Sequence, residues 1–345
     1  MGANQGNTRV LLAERPANRP VRESDFRIDR AAVPEPAEGE VLLRTLWLSL
    51  DPYMRGRMSA VRSYAKPVEI GAVMTGETVS EVVSSRAPGL KPGDLVLAPS
   101  GWQEWAVLPA KEAQRIEPED MPLSYFLGVL GMPGMTAYSA LLGIGQPKPG
   151  ETVLISAAAG AVGQLAGQIA KIRGCRVIGS AGAADKLAYI KDELGFDAAL
   201  DYKGKDRDQL GAELAALAPD GIDVFYDNVG GVLHDAVMAN LALHARVIIV
   251  GSISIYDRLE TPDIGIRWNR QLLVKRARME GFLVWDWRHQ AEEFRRDVSA
   301  WLRSGRVRYR EDIVDGLVAA PKAFMGLLAG ENRGKLLVRV GAAGG

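Results

Sequence analysis

The stretch Val153-Leu154-Ile155-Ser156-Ala157-Ala158-Ala159-Gly160-Ala161-Val162-Gly163 constrains this chain more than any other. An apolar strand runs straight into a turn of very small side chains, and Gln164-Leu165-Ala166-Gly167-Gln168-Ile169-Ala170 follows with apolar positions at helical spacing. That order brings a helix amino terminus to the tip of a buried strand, where main-chain N–H groups and the helix dipole hold a pyrophosphate. A Cβ of any size at Gly160 or Gly163 would keep such an anion at a distance. The pattern, Ala-x-x-Gly-x-x-Gly, is a variant of the three-glycine dinucleotide fingerprint. The same residues also suit a tight strand-to-helix turn selected for packing alone.

The texture on either side of Gly150 differs. From Val41 to about Lys111, short apolar segments are cut by Gly and Pro: Val41–Leu46, Val79–Val83, Asp94–Leu97 and Trp105–Val107, with Leu90-Lys91-Pro92-Gly93 as a turn. This predicts an antiparallel β-domain. After Gly150, strands alternate with longer helical patterns, as in a parallel sheet covered by helices on both faces. Candidate strands are Thr152–Ser156, Arg176–Ser180, Ala198–Leu200, Val224–Tyr226, Val247–Val250 and Met279–Val284, which suffice for a doubly wound dinucleotide-binding sheet. A further strand, Lys335–Val340, precedes a glycine-rich end, Gly341–Gly345, expected to fray. At 345 residues the chain exceeds what one hydrophobic core usually organises, so two domains are expected.

Composition narrows the class. Lys+Arg and Asp+Glu are each 42, which leaves no global charge for nucleic acid. Arg303, Arg306, Arg308 and Arg310 therefore read as solvated surface. No apolar run has the length of a membrane span, and the residues after Met1 show neither a secretory nor a myristoylation pattern. The lone cysteine, Cys175, reads as an inert core thiol and fits a reducing, cytoplasmic setting. With the three histidines His234, His244 and His289, it leaves too few ligands for a structural zinc site, so no metal is expected. None of these histidines stands in a hydrolase or metalloprotease motif, and His234 and His244 read as lying in a helix and its exit.

The choice of nicotinamide cofactor turns on the tip of the second strand, where NAD enzymes place an acid for the ribose 2′-hydroxyl. Here that tip reads Val177-Ile178-Gly179-Ser180-Ala181-Gly182, without an acid; Asp185 follows as a possible decoy, and Lys186 offers a charge for a 2′-phosphate. NADP(H) is the expected cofactor.

Three separated blocks carry a family resemblance: Leu48-Ser49-Leu50-Asp51-Pro52-Tyr53-Met54-Arg55-Gly56-Arg57-Met58, Gly128-Val129-Leu130-Gly131-Met132-Pro133-Gly134-Met135-Thr136-Ala137-Tyr138, and Tyr226-Asp227-Asn228-Val229-Gly230-Gly231. In this order they resemble the zinc-independent double-bond reductases of the medium-chain dehydrogenase/reductase superfamily, which include prostaglandin, plant alkenal and bacterial curcumin reductases. The resemblance implies an α/β architecture with a GroES-like catalytic domain at 1–128, to which 310–345 return, and a Rossmann domain at 129–309. It also implies a cofactor cleft between them and a homodimer formed around Met279–Val284. Zinc-dependent relatives carry Gly-His-Glu where this chain has Thr75-Gly76-Glu77-Thr78.

Residue by residue, the resemblance places Gly160, Ala161, Val162 and Gly163 at the pyrophosphate, and Lys186 and Tyr202 at the 2′-phosphate. It lines the nicotinamide half with Asn228 and with Val250, Gly251, Ser252, Ile253, Ser254, Ile255 and Tyr256, and adds Phe282, Leu283, Val284 and Asn332 as cofactor contacts. Tyr53, Tyr64 and Tyr256 surround the substrate. One departure is Asp257, where relatives often have Asn. Hydride addition to the β-carbon of an enone builds charge on the carbonyl oxygen, and a tyrosine that keeps its proton at neutral pH is a suitable donor there. Tyr256 is the first candidate; Tyr53 and Tyr64 serve equally well as pocket walls. An NADPH quinone reductase and a non-catalytic NADPH-binding protein are the alternatives, and a zinc-type alcohol dehydrogenase lacks its ligands.

Overall fold

The computed structural model describes residues 6–341, so the glycine-rich end beyond Gly341 lies outside the described residues. Fifteen strands are described, in chain order β1 (Asn7–Leu12), β2 (Phe26–Ala31), β3 (Glu40–Ser49), β4 (Thr78–Ser85), β5 (Leu95–Ala98), β6 (Trp105–Pro109), β7 (Gln114–Arg115), β8 (Thr152–Ile155), β9 (Arg176–Ala181), β10 (Ala198–Asp201), β11 (Ile222–Asp227), β12 (Leu241–Ile249), β13 (Arg278–Gly281), β14 (Glu311–Asp315) and β15 (Lys335–Arg339). Among these residues no helix is long and apolar enough to cross a membrane.

Strands β3 to β7 and the two carboxy-terminal strands β14 and β15 build a seven-stranded sheet in the order β14-β15-β3-β4-β5-β7, with β6 also on β3. The pairs around β3 are antiparallel. The long strand β3 alternates inward and outward residues until Leu46, then buries both faces, because β15 and the Tyr53–Arg57 helix cover its far end. Trp102 fills the adjoining core, stacked on Phe26 at 5.6 Å and edge-on to Phe324 at 5.5 Å. Gly76 is sterically required beside it, since a Cβ there would stand 2.7 Å from the Leu48 side chain.

The second sheet is parallel throughout, in the order β10-β9-β8-β11-β12-β13. Alternate residues of its central strands enter two separate cores. Val153, Ile155, Val177, Val224, Tyr226 and Ile248 pack on one face. Leu154, Ile178, Leu200, Phe225 and Val247 pack on the other. Burial on both faces is why these strands read as unbroken apolar runs instead of alternating ones.

Two sequence expectations need correction. The strand expected from Met279 to Val284 ends at Gly281: Phe282 turns into the core against Trp287, with ring centroids 5.9 Å apart, and Val284–Gln290 forms a 3₁₀ helix. His244 stands in β12, well past the helix Gly231–Ala239, exposed and at φ 61°. The run Leu241-Ala242-Leu243 is too short to distinguish a helix exit from a strand, and only pairing with β11 and β13 decides it.

Candidate active site

Ala157 opens the turn after β8 at φ 48°, and the turn is packed so tightly that a Cβ on Gly163 would lie 2.4 Å from the Ala157 carbonyl oxygen. Gly163 is thus demanded by the turn itself. At Gly160 a Cβ would meet only the Ala157 carbonyl oxygen, at 3.2 Å, and otherwise project into open space. This is the small-residue cradle that a pyrophosphate fits: the amides of Ala161, Val162 and Gly163 precede the first turn of the helix Gly163–Ile172 and have no intrahelical acceptor.

The helix that follows has a second task not visible in the sequence. Gln164, fully buried, accepts from the Tyr189 hydroxyl at 2.7 Å and from the Arg310 amide at 2.9 Å, and donates to the Arg310 carbonyl at 3.1 Å. Gln168 makes a matching pair of bonds, both 2.8 Å, with the main chain of Arg308. The chain is thereby fixed where it leaves the second domain. Arg303 pairs with Glu119 and Asp120, and Arg310 with Glu193, while Arg306 and Arg308 are exposed.

At the tip of β9, Gly182 packs against the Tyr202 ring, and burial raises the Tyr202 pKa. Lys186 Nζ donates to the Gly330 carbonyl at 2.5 Å, and partial burial lowers the Lys186 pKa. Asp185, the possible decoy, pairs with Arg333 at 2.8 Å. Asn332 donates to the Gly334 carbonyl at 2.7 Å, and Gly334 forms a parallel bridge with Gly160. Lys186, Tyr202, Asn332 and the glycine turn are therefore grouped at one end of the candidate site.

The other end is built on Asp227. Its main-chain carbonyl accepts from Val250 and Gly251 at 2.8 and 3.1 Å, and its buried carboxylate accepts from Val229 and Gly230, both at 2.9 Å. The second carboxylate oxygen meets His234 Nδ1 at 2.8 Å, a contact the sequence reading missed because an i,i+7 pair crossing a turn has no periodic signal. Asn228 is held by Ser156 through two bonds of 2.7 Å. The segment from Val250 through Gly251, Ser252, Ile253, Ser254 and Ile255 to Tyr256 is laced onto 227–229, with Ser254 N donating to the Val229 carbonyl at 3.1 Å. Of the residues after β13, Leu283 is exposed and Val284 half-buried, whereas the Phe282 ring is in the core.

The structure brings the three tyrosines together. Tyr53 starts the short helix after β3, Tyr64 comes from the loop beyond it, and Tyr256 sits in the 3₁₀ turn Ile253–Arg258 of the other sheet. Burial pushes Tyr256 up to about 12 and Tyr53 well above the usual phenol range, and the Tyr64 hydroxyl is close enough to raise both further. All three thus hold their protons as donors. Asp257 faces the buried Arg55, whose guanidinium donates to the Ala17 carbonyl at 2.8 Å.

Behind Tyr53 lies a charged cluster that sequence reading did not find. Lys335, almost fully buried, donates to the Leu50 carbonyl at 2.8 Å, to Asp51 at 3.0 Å and to the Leu336 carbonyl at 3.0 Å, and Ser49 donates to the same carboxylate. Glu77 stands near both, and burial, then Asp51, push its carboxyl up to about 7 against the opposing pull of Lys335. Among the described residues no group of three or more His, Cys, Asp or Glu is arranged to hold a metal ion.

A parallel sheet of the dinucleotide-binding kind joined to an antiparallel-sheet domain defines a two-domain dehydrogenase/reductase. Residues 8–116 match a family model described as the N-terminal domain of oxidoreductase, and 161–303 one described as zinc-binding dehydrogenase. The chain is 46% identical over 340 residues to the NADPH-dependent curcumin reductase of Escherichia coli K12, covering 97% of each. It is 42% identical over 346 residues to the NADP(+)-dependent 2-alkenal reductase of Nicotiana tabacum, covering 99% of each. CurA from Vibrio vulnificus in complex with NADPH superimposes with a TM-score of 0.92 at 45% identity, covering 97% of this chain and 99% of that one. The chain belongs to the zinc-independent double-bond reductases of the medium-chain dehydrogenase/reductase superfamily.

Proposed function

We propose that this protein uses NADPH to reduce the carbon–carbon double bond of α,β-unsaturated ketones and aldehydes. The observation that carries the reading is the convergence of Tyr53 and Tyr64 from one domain with Tyr256 from the other, at the Asn228 end of the candidate site. The relatives named as curcumin, alkenal and (+)-pulegone reductases support it. The bound cofactor would supply hydride to the β-carbon, and the enolate so formed takes a proton from solvent at the α-carbon. Tyr256 donates a hydrogen bond to the carbonyl oxygen as charge develops there, and its raised pKa keeps it protonated for that purpose. Asn228, fixed by Ser156, and the segment Val250–Ile255 orient the nicotinamide end; Gly160–Gly163 hold the pyrophosphate; Lys186 and Tyr202 meet the 2′-phosphate, with Asn332 and the main chain of Phe282 to Val284 completing the cleft. Tyr53 and Tyr64 wall the substrate.

Cofactor oxidation should be followed with 4-phenylbut-3-en-2-one, curcumin, a quinone and a simple alcohol, with product masses determined. The reading expects the two enones to gain two hydrogens at the double bond. Turnover of the quinone alone would make the protein a quinone reductase, and turnover of none would leave a cofactor-binding protein.

We further take the catalytic domain as 1–128 with 310–345, the Rossmann domain as 129–309, and the setting as cytoplasmic. The pairing of Leu337 with Ser49 supports the return of the chain to the first domain. A homodimer through β13 is supported by its place at the sheet edge, where all four residues are exposed, and by the exposed apolar Leu243, Leu273 and Val274. Light scattering on the purified protein tests this.

A further inference from the structure

The loop from Gly330 to Gly334 belongs to the first domain's sheet but lies against the cofactor end of the second. It is pinned at several points. Arg333 N donates to Asp312 at 3.0 Å, Asn332 bonds the Gly334 carbonyl, Gly334 bridges Gly160, and Gly330 accepts from Lys186. This anchorage delivers the Arg333 guanidinium to Asp185 at 2.8 Å, one residue from Lys186.

Asp185 needs such a partner. Asp185 lies four residues past the end of β9, beyond the tip where a dehydrogenase that prefers NADH keeps its carboxylate, but it adjoins Lys186, and an unpaired acid there repels a 2′-phosphate. The charged groups around Lys186 are Asp185, Arg333, Asp312 and Lys203. With Arg333 present this set has a surplus cation; without it, the two carboxylates cancel Lys186 and Lys203. The pair is solvent-exposed on both sides, so it contributes little to folding stability, and its consequence is electrostatic.

We infer that Arg333 is a specificity-determining residue for NADPH, which acts by masking Asp185 so that Lys186 and Tyr202 receive the 2′-phosphate unopposed. Discrimination between the two cofactors is thereby shared by both domains, with the decisive cation supplied by the one that does not carry the dinucleotide fold. The inference rests on the NADPH reading above.

Equilibrium binding of NADPH and NADH, read by tryptophan fluorescence on the whole protein, tests it with Arg333→Leu, Asp185→Asn and the double variant. Arg333→Leu should weaken NADPH about tenfold, leave NADH within about twofold, and lose part of this effect in high salt, as an unmasked charge does. Asp185→Asn should keep NADPH tight. The double variant should return to within about twofold of Asp185→Asn, because the acid needing a mask is gone. Thermal melting without cofactor should be unchanged in all three. An unaltered NADPH:NADH ratio in Arg333→Leu overturns the inference, as does a double variant as weak as Arg333→Leu, which would make Arg333 a direct phosphate ligand. Wild-type protein that binds NADH as tightly as NADPH would instead remove the cofactor reading itself.

Discussion

Tyr64 packs edge-on against Trp285, with ring centroids 5.6 Å apart and planes at 63°. One ring belongs to the antiparallel domain and the other to the segment after β13, and both are about half exposed. The contact joins the loop after the Tyr53–Arg57 helix to the segment after β13, and it leaves Tyr64 more exposed than Tyr53 or Tyr256. On the function proposed above, Tyr64 is then a wall residue and Tyr256 the candidate for the chemistry.

Tyr256→Phe should therefore lower kcat for an enone while NADPH affinity stays nearly intact, since the lost hydroxyl works in the transition state. The drop should be at least about tenfold, and up to the ~10²–10³-fold cost of deleting a sole oxyanion donor. Tyr64→Phe, measured alongside, should change kcat by less than about twofold. Equal effects in Tyr256→Phe and Tyr64→Phe, with hydride transfer rate-limiting, would displace Tyr256 from its role.

Lys186→Ala should raise the NADPH KM roughly ten- to a hundredfold, the worth of one charge-assisted hydrogen bond, and leave the NADH KM nearly unchanged. In the structure this lysine is positioned by the Gly330 carbonyl. Steady-state kinetics with both cofactors checks this; equal losses would show that Lys186 does not read the phosphate.

Exhaustive chelation should leave turnover intact. The Thr75-Gly76-Glu77 site has no histidine, and Gly76 is held small by Leu48 and Trp102, so the backbone there is committed to packing. Metal analysis of active protein, before and after chelation, decides the matter. Stoichiometric zinc whose removal abolishes turnover would overturn the expectation.

Glu77 predicts a pH dependence of stability. Its carboxyl is raised from 4.5 to about 7 in the fold, chiefly by burial, so the native state keeps a proton that the unfolded chain releases. Stability from this group is then highest below about 4.5 and falls as pH rises towards about 7, above which the full cost is present. Glu77→Gln removes the titration. In denaturant melts, the variant should gain roughly 1–3 kcal/mol on wild type between pH 5 and pH 8. A difference that does not change with pH would mean that Glu77 ionises normally.

Strands β8, β9 and β11 were legible because burial on both faces writes itself as unbroken runs such as Val153-Leu154-Ile155. The first half of β12 was not, since Leu241-Ala242-Leu243-His244 carries no period that separates strand from helix. The glycine turn could be read from local chemistry, whereas Tyr53, Tyr64 and Tyr256 were reached through a family likeness. Contacts such as Gln164 with Arg310, Asp185 with Arg333 and Asp51 with Lys335 join residues far apart in the chain and leave no local mark. These are the contacts that fix the two domains and charge the candidate site.

The buried Lys335 has a consequence for how the chain assembles. Its bonds to Leu50 and Asp51, and the pairing of β15 with β3, join the first domain's seven-stranded sheet to residues about 285 positions later. Domains generally fold as units while a chain emerges from the ribosome. Here the first domain cannot close until the last strand has been synthesised, and the intervening parallel sheet has every local partner it needs before then. The amino-terminal domain is accordingly started first and finished last, and until Lys335 arrives Asp51 lacks its cation.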